Sequence, residues 1–132
     1  VPFDESAHAE RGLERAVEDH PDAMITVLSV VDPLSEAGSD ISDAPLDVGN
    51  DTRADGGGIP VVDRFARERG VDLQTVVVVG TPAATIIDYA NEHEVTAIVM
   101  GTRGRSGLPR LLFGSVAETV ARHASMAVTL VK

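Results

Sequence analysis

The stretch Gly101-Thr102-Arg103-Gly104, followed after nine residues by Gly114-Ser115, decides the fold of this sequence. Residues 97–100 before it form a continuous apolar run, which is typical of a parallel strand covered on both faces. After it, apolar residues recur at helical spacing over residues 116–124, so Gly114 and Ser115 are predicted at a helix start. A strand, a glycine-rich turn and a helix in this order are typical of an α/β protein.

The predicted helix start is a candidate anion site. The N–H groups of a first helical turn have no partner within the helix and carry the positive end of its dipole. Gly101 and Gly104 would let the backbone approach a ligand where a Cβ would collide. Between Glu94 and Glu118 the sequence has no acidic residue. Three arginines lie in that window, namely Arg103, Arg105 and Arg110. The window suits a polyanion such as phosphate, although a glycine-rich surface turn with solvated arginines is the alternative.

These residues resemble the nucleotide-binding signature of the universal stress protein family. That signature is Gly, two residues, Gly, nine residues, Gly, then Ser or Thr, and it falls here on Gly101, Gly104, Gly114 and Ser115. Other segments that resemble family landmarks are Val1-Pro2-Phe3-Asp4-Glu5-Ser6, Ser29-Val30-Val31-Asp32, Val79-Gly80-Thr81-Pro82 and Met100-Gly101. The resemblance covers almost the whole chain and is weakest over residues 33–58.

The resemblance implies a site for ATP, or for ADP or AMP, with Mg²⁺ held by the phosphates. The residues it implies for this site are Pro2, Asp4, Val30, Gly101, Thr102, Arg103, Gly104, Arg105, Gly114, Ser115 and Val116. The glycines and Ser115 would hold the phosphates, Val30 would contact the adenine, and Asp4 would reach the sugar or the metal. For Asp4 the alternative is a turn or capping carboxylate, and for Val30 it is a core position at a strand end.

The order of predicted elements indicates an α/β fold built on an open sheet. We expect one domain over residues 1–132, a five-stranded, mostly parallel, Rossmann-like sheet of the universal stress protein type, with helices on both faces. Such sheets bind ligands beyond the carboxyl ends of strands where the winding reverses, a crevice that Asp4 and Gly101 would share if their strands are adjacent. Residues 1–4 look like the end of a first strand that is truncated or short. Residues 35–58 are predicted to be an acidic excursion.

The last predicted strand, Ala127–Val131, alternates in polarity and would lie at an edge of the sheet. The resemblance implies a homodimer formed through this strand. Many relatives have a proline where this sequence has Ala127, which leaves an extra backbone donor at that position.

Composition limits the remaining classes of function. The net charge is −10, the pI is near 4.6, and no cysteine is present. This acidity argues against binding a nucleic acid backbone, and no segment has the length of a membrane span. The absence of cysteine fits a cytoplasmic protein. Arginines number ten against one lysine, Lys132, beside 21 acidic residues, which suggests a salt-loving source because high salt screens such a surface.

Catalytic motifs are missing from the sequence. It has no Walker loop, no dinucleotide fingerprint and no Gly-x-Ser-x-Gly elbow. The four histidines are scattered without the spacing of metal ligands. The main hypothesis is therefore a dimeric stress-response module in which the nucleotide orders residues 101–115. The alternatives are a weak ATP hydrolase, with Asp4 or Asp32 positioning water, and a dimeric interaction module that binds no nucleotide.

Overall fold

A computed structural model describes residues 1–33, 59–102 and 114–132 of the chain. In these ranges the helices are α1 (Ala7–Asp19), α2 (Pro60–Arg69), α3 (Pro82–Glu92) and α4 (Ser115–His123). The strands in the same ranges are β1 (Ile25–Val31), β2 (Leu73–Val79), β3 (Ala97–Gly101) and β4 (Ala127–Val131). The predicted α/β fold with parallel strands is confirmed. The excursion predicted over residues 35–58 lies outside the described residues, as do the candidate site residues Arg103, Gly104 and Arg105.

The described strands form two parallel pairs rather than one five-stranded sheet. β1 pairs with β2, and β3 pairs with β4. The N-terminal segment adds a single parallel bridge, between Pro2 and Leu28 of β1. This segment stays extended only as far as Asp4, because the chain then turns at Glu5, whose φ is 64°. Residues 1–4, predicted to be the end of a first strand, contribute this single bridge, and the five-strand count is not confirmed.

Helices cover both faces of the strands, as predicted. Val27 and Leu28 are neighbours on β1, yet they belong to different hydrophobic clusters, because successive side chains of a strand point to opposite faces. One cluster joins α1 and α2 to the strands through Phe3, Ala9, Leu13, Val27 and Val62. The other joins α3 and α4 to them through Leu28, Val76, Ile86, Ala90, Ile98, Met100, Ala117 and Val120. Each fully buried Val or Leu stabilises this packing by about 1.5–3 kcal/mol.

Local sequence signals set the helix boundaries. Ser6 caps α1, and its side-chain oxygen accepts a hydrogen bond from the N–H of Ala9 at 3.1 Å. Gly70 ends α2 in the left-handed conformation, with φ 62°. Thr81 is the N-cap residue of α3, but its side chain makes no capping hydrogen bond. Helix α3 therefore begins directly after Thr81 without a side-chain cap.

Within residues 1–33, 59–102 and 114–132, every helix is too short or too polar to cross a bilayer.

Candidate functional site

Helix α4 starts where the glycine and serine of the signature predict. Gly114 is its N-cap residue, and Ser115 is its first helical residue. The N–H of Gly114 donates to the carbonyl oxygen of Thr102, and the N–H of Thr102 donates to the carbonyl oxygen of Val131 at 2.9 Å. These bonds tie the two residues that flank positions 103–113 to each other and to the end of β4. The backbone therefore fixes the start of α4 against the carboxyl ends of β3 and β4.

The first turn of α4 offers backbone amides to an anion. The carbonyl of Gly114 accepts the N–H of Glu118 at 3.0 Å, which closes the first turn. Glu118 is the first residue whose N–H can donate to a carbonyl at the start of this helix. The N–H groups of Ser115, Val116 and Ala117 come before it, so they have no such partner in the helix. Among the described residues, none of these three amides donates to a backbone carbonyl. They lie at the positive end of a nine-residue helix. The anion site predicted at the helix start therefore rests on these three amides, because the chain itself uses the amide of Gly114.

Thr102 has a structural role at the end of β3. Its side chain is buried, with 1% of the residue exposed. Both of its backbone polar groups bond to the chain itself, to Gly114 and to Val131. In this conformation Thr102 holds the two ends of the signature together, and its predicted place beside a phosphate stays a prediction.

Gly101 makes room for helix α1. A Cβ at Gly101 would collide with the carbonyl of His8 and would lie 2.9 Å from the Cβ of His8. From the other side, a Cβ at Gly12 would lie 3.0 Å from the nitrogen of Gly101. The first turns of α1 therefore pack directly on the end of β3. The glycine at this position was expected to make room for a ligand, whereas the structure shows that the packing of α1 already requires it.

His8 lies near the site, although the scattered spacing of the histidines predicts no metal-binding role for it. The Nδ1 atom of its ring is buried and has no hydrogen-bond partner in the described part of the chain. Its backbone lies against Gly101. The only signal in the sequence is its position two residues after the cap Ser6, which places it in the first turn of α1.

Asp4 forms the turn that leads into α1. Its Oδ1 atom accepts the N–H of Ser6 at 3.0 Å, and Glu5 between them adopts a positive φ. The alternative of a turn carboxylate is therefore confirmed for Asp4. Since α1 then crosses Gly101, the structure brings the turn of Asp4 and the end of β3 to the same end of the strands. A contact between Asp4 and a ligand stays a prediction.

Val30 on β1, and Pro2 and Gly80 next to it, have structural roles. Val30 is half-buried and packs against the hydrophobic cluster under α3 and α4, so the alternative of a core position is confirmed. Pro2 forms the bridge to Leu28. The N–H of Gly80 donates to the carbonyl of Val31 at 2.9 Å, and a Cβ at Gly80 would collide with the side chain of Thr85. This confirms that Gly80 serves a strand-to-helix turn.

The described residues at this end of the molecule do not form a metal site from protein side chains. Residues 1–33, 59–102 and 114–132 contain no group of three or more His, Asp or Glu side chains that could hold a metal ion. The carboxylate of Asp4 is already used by the turn. A divalent cation here would take most of its ligands from phosphate oxygens and water.

A cavity of about 530 Å³ lies at the opposite, amino end of the strands. It is bordered by Val1, Ile25 and Thr26 on one side and by Ala97 and Val99 on the other. Of the predicted nucleotide-binding residues that the structure describes, only Pro2 borders it. This void is therefore a feature separate from the amides of α4.

The model of the family described as "Universal stress protein family" matches residues 1–132. The chain belongs to the universal stress protein family. It is 44% identical over 71 residues to universal stress protein MJ0531 of Methanocaldococcus jannaschii, a match that covers 54% of this chain and 42% of that protein. It is 31% identical to a putative universal stress protein of Staphylococcus aureus, with 100% of this chain and 81% of that protein covered. Matches with the first curated relatives span less than half the length of those proteins.

Solved structures of the family share the fold of this chain. Universal stress protein UspA from Lactobacillus plantarum superposes with a TM-score of 0.69 at 26% identity, covering 100% of this chain and 94% of that one. A universal stress protein in complex with cAMP has a TM-score of 0.64 at 24% identity, covering 99% and 92%. The Archaeoglobus fulgidus protein in complex with dAMP has a TM-score of 0.58 at 24% identity, covering 99% and 94%. At these identities the two complexes show the likeness of fold.

Proposed function

We propose that this universal stress protein binds an adenine nucleotide at the carboxyl ends of its strands, with the phosphates at the start of α4. The observation that carries the proposal is the set of amides of Ser115, Val116 and Ala117, none of which donates to a backbone carbonyl in the described residues. An anion there accepts several N–H bonds at the positive end of the helix dipole. Two proteins of similar fold are complexes with cAMP and dAMP, which supports adenosine phosphates as the ligand class.

The roles of the other residues follow from the signature. Gly101, Gly104, Gly114 and the hydroxyl of Ser115 surround the phosphates, flanked by Thr102, Arg103 and Arg105. Pro2, Val30 and Val116 line the site, and Asp4 reaches the sugar or a phosphate-held Mg²⁺. ATP, ADP and AMP all fit this arrangement, since each presents an anion to the helix start and an adenosine to the crevice.

The same proposal includes assembly and the way in which binding is read out. We propose one nucleotide-binding domain over residues 1–132 that acts in the cytoplasm as a homodimer. β4 bonds to β3 on one side, and side chains with alternating exposure run along it, which supports pairing with a second copy through Ala127–Val131. Nucleotide binding would then order residues 101–115 and change the surface that the dimer presents.

The variant Gly114→Asp tests the phosphate assignment. It adds a Cβ and a negative charge at the N-cap of α4, next to the three amides. Aspartate is a good N-cap residue, so the helix stays folded, while its carboxylate repels the phosphates. We expect the affinity for ATP and AMP, measured by calorimetry in molar KCl, to fall at least about tenfold. Circular dichroism should stay unchanged.

The matched control is Ala121→Asp, which adds the same charge to the exposed surface of the same helix, nearly two turns away. It should leave the affinity within about twofold of the unmodified chain, because dipole and contact effects fall off within one turn. Equal affinity for Gly114→Asp and the unmodified chain would contradict the assignment. No binding of any adenine nucleotide by the unmodified chain would favour the interaction module. Turnover of Mg-ATP above the buffer control, measured by mass spectrometry, would favour the hydrolase.

A further inference from the structure

The ring of His8 has a buried nitrogen atom without a hydrogen-bond partner. Its Nδ1 atom is removed from water and makes no hydrogen bond to the part of the chain that the structure describes. Buried polar atoms in proteins are nearly always bonded, because an unbonded one has lost water without gaining a partner. Such an atom therefore points to a partner that the free chain does not supply.

His8 lies at the carboxyl end of β3, next to the start of α4. It belongs to the first turn of α1, and its backbone and Cβ lie against Gly101, the last residue of β3. The following residue, Thr102, accepts the N–H of Gly114 at the start of α4. Gly101 and Thr102 thus link His8 directly to the helix start at which the phosphates are proposed to bind.

Hydrogen-bond acceptors of the chain near His8 are already in use. The carbonyl of Ser6 accepts the N–H of Glu10, and the carbonyl of Thr102 accepts an N–H from the start of α4. The carboxylate of Asp4 accepts the N–H of Ser6. These groups hold the turn before α1 and the end of β3 in place, so an acceptor for the imidazole has to come from a bound molecule.

A phosphate oxygen has the chemistry that this imidazole needs. A ring nitrogen that carries a proton is a hydrogen-bond donor, and its bond to an anion is stronger than its bond to a neutral oxygen. The sequence has no acidic residue between Glu94 and Glu118, so no carboxylate of the segment from β3 to α4 competes for the ring. The function proposed above brings a phosphate to this same end of the strands.

The ring of His8 can turn toward such an oxygen while its backbone stays in place. Because Nδ1 makes no hydrogen bond, this atom does not hold the ring in its orientation. Rotation about the Cβ–Cγ bond of histidine has broad, twofold preferences, and a half-turn carries Nδ1 from one edge of the ring to the other. The backbone itself is fixed by its close contact with Gly101.

We propose that His8 is a phosphate-binding residue, whose Nδ1–H donates a hydrogen bond to an oxygen of the bound nucleotide. This inference rests on the proposed function, and it adds a side-chain donor from α1 to the backbone amides of α4. The buried nitrogen gains its partner only in the complex. The free chain is therefore less stable with this nitrogen than without it, whereas the complex needs it.

The test compares stability and affinity in the variant His8→Phe of the full chain, which keeps a flat ring without a nitrogen. Without ligand, its melting temperature should equal or exceed that of the unmodified chain, because a buried unpaired polar atom is removed. Its affinity for AMP, measured by calorimetry in molar KCl, should fall about tenfold. Its affinity for adenosine, which has no phosphate, should stay within about twofold.

Two variants and one titration serve as controls. His8→Asn places an amide near the position of Nδ1, so its affinity for AMP should fall only about threefold. His20→Phe makes the same change at the exposed far end of α1, about 18 Å away, and should leave the affinity for AMP unchanged. In the unmodified chain, the NMR signal of the His8 Nδ1 atom should shift with AMP along the same binding curve as the amide of Ser115.

The proposal and the proposed function fail in different ways. If the unmodified chain binds AMP and His8→Phe binds it equally well, the proposed function stands and His8 has no part in it. Equal losses of affinity for AMP and adenosine would also overturn the proposal, since they would place His8 at the nucleoside. A lower melting temperature with unchanged affinity would make His8 a packing residue only. If the unmodified chain binds no adenine nucleotide, the proposed function is wrong and this inference falls with it.

Discussion

The two ends of the strands are built in opposite ways. At the carboxyl end, backbone hydrogen bonds close the connections tightly: Gly80 bonds to Val31, Thr102 to Val131, and Gly114 to Thr102. Glycine allows the closest contacts there, because a Cβ at Gly101 would strike helix α1. At the amino end, β1 and β3 border a cavity of about 530 Å³ with apolar walls.

This difference shows that the volume of a cavity and the chemical groups at a surface indicate different candidate sites. The void at the amino end is lined mainly by apolar side chains. The carboxyl end holds the amides of the first turn of α4, which suit an anion. The largest volume given for the described residues therefore lies away from the proposed nucleotide site. The following predictions test how tightly the carboxyl end is closed and how open the amino end is.

The largest effect is expected from Gly101→Ala. The added Cβ has no room beside the carbonyl of His8, and backbone there cannot yield as a flexible side chain would. We expect the free energy of unfolding, measured by urea denaturation, to fall by about 3 kcal/mol. A loss below about 1 kcal/mol would show that α1 packs less tightly against Gly101 than the structure indicates.

The comparison variant is Gly70→Ala, at the end of α2. A Cβ there meets nothing within 4 Å, but Gly70 has φ 62°. We expect a loss of about 1 kcal/mol, from backbone conformation alone. The difference between the two variants measures the steric part of the effect at Gly101.

The second effect is a dependence of stability on pH from the amino group of Val1. Its pKa is about 5 in the folded chain against an ordinary 8.0, so between these values the unfolded chain binds more protons. Stability should therefore rise as pH rises from 5 to 8, and be lost as pH falls through this window. Because Val1 keeps some exposed surface, we expect a change of about 2 kcal/mol.

Acetylation of the Val1 nitrogen provides the control for that measurement. The acetylated chain keeps the N–H donor to Thr26 and has no amine to titrate, so the contribution of Val1 to its pH dependence is removed. The two chains should differ in the slope of unfolding free energy against pH. Parallel curves would mean that the amino end is open to water and that the amine is not buried.

The third effect, at the carboxyl end, is loss of the cap of α1. In Ser6→Ala the N–H of Ala9 loses its acceptor, so we expect a loss of about 1 kcal/mol in thermal or urea unfolding. Thr81→Ala in α3 is the matched control, since Thr81 makes no side-chain capping bond. It should cost only a few tenths of a kcal/mol. Equal losses of stability in the two variants would contradict the account that Ser6 caps its helix and Thr81 does not.

The smallest effect concerns salt. The chain has a net charge of −10, and acidic side chains such as Glu10, Asp72 and Glu92 are exposed. Molar KCl shortens the screening length to about 3 Å and reduces their mutual repulsion. We expect the melting temperature to rise by about 3 °C between dilute buffer and molar KCl, below 1 kcal/mol in stability. An unchanged melting temperature would count against a salt-adapted surface at either end.

The spacing of apolar residues and the positions of helix caps, prolines and glycines predict much of the fold. Apolar runs place β1, β2 and β3, while Ser6, Pro60, Pro82 and Gly114 mark the helix starts that the structure has. These signals act within a few residues, so a single sequence contains them. The pairing of strands is a contact between distant segments.

The candidate site was predictable in position but less so in role. The sequence correctly places Gly114 and Ser115 at a helix start. It could not show that the amide of Gly114 bonds to Thr102, or that Gly101 is required by α1, because both depend on segments brought together by folding. In the sequence, a glycine that makes room for a ligand cannot be told from a glycine that makes room for a helix.

The most direct test of the central claim is an amide NMR titration of the unmodified chain with AMP in molar KCl. If the phosphate binds at the start of α4, the amide signals of Ser115, Val116 and Ala117 should move most, with the shifts saturating along one binding curve. The amides that border the amino-end cavity, such as those of Thr26 and Val99, should stay in place. Saturating shifts at Thr26 and Val99 with the α4 amides unmoved would contradict the account.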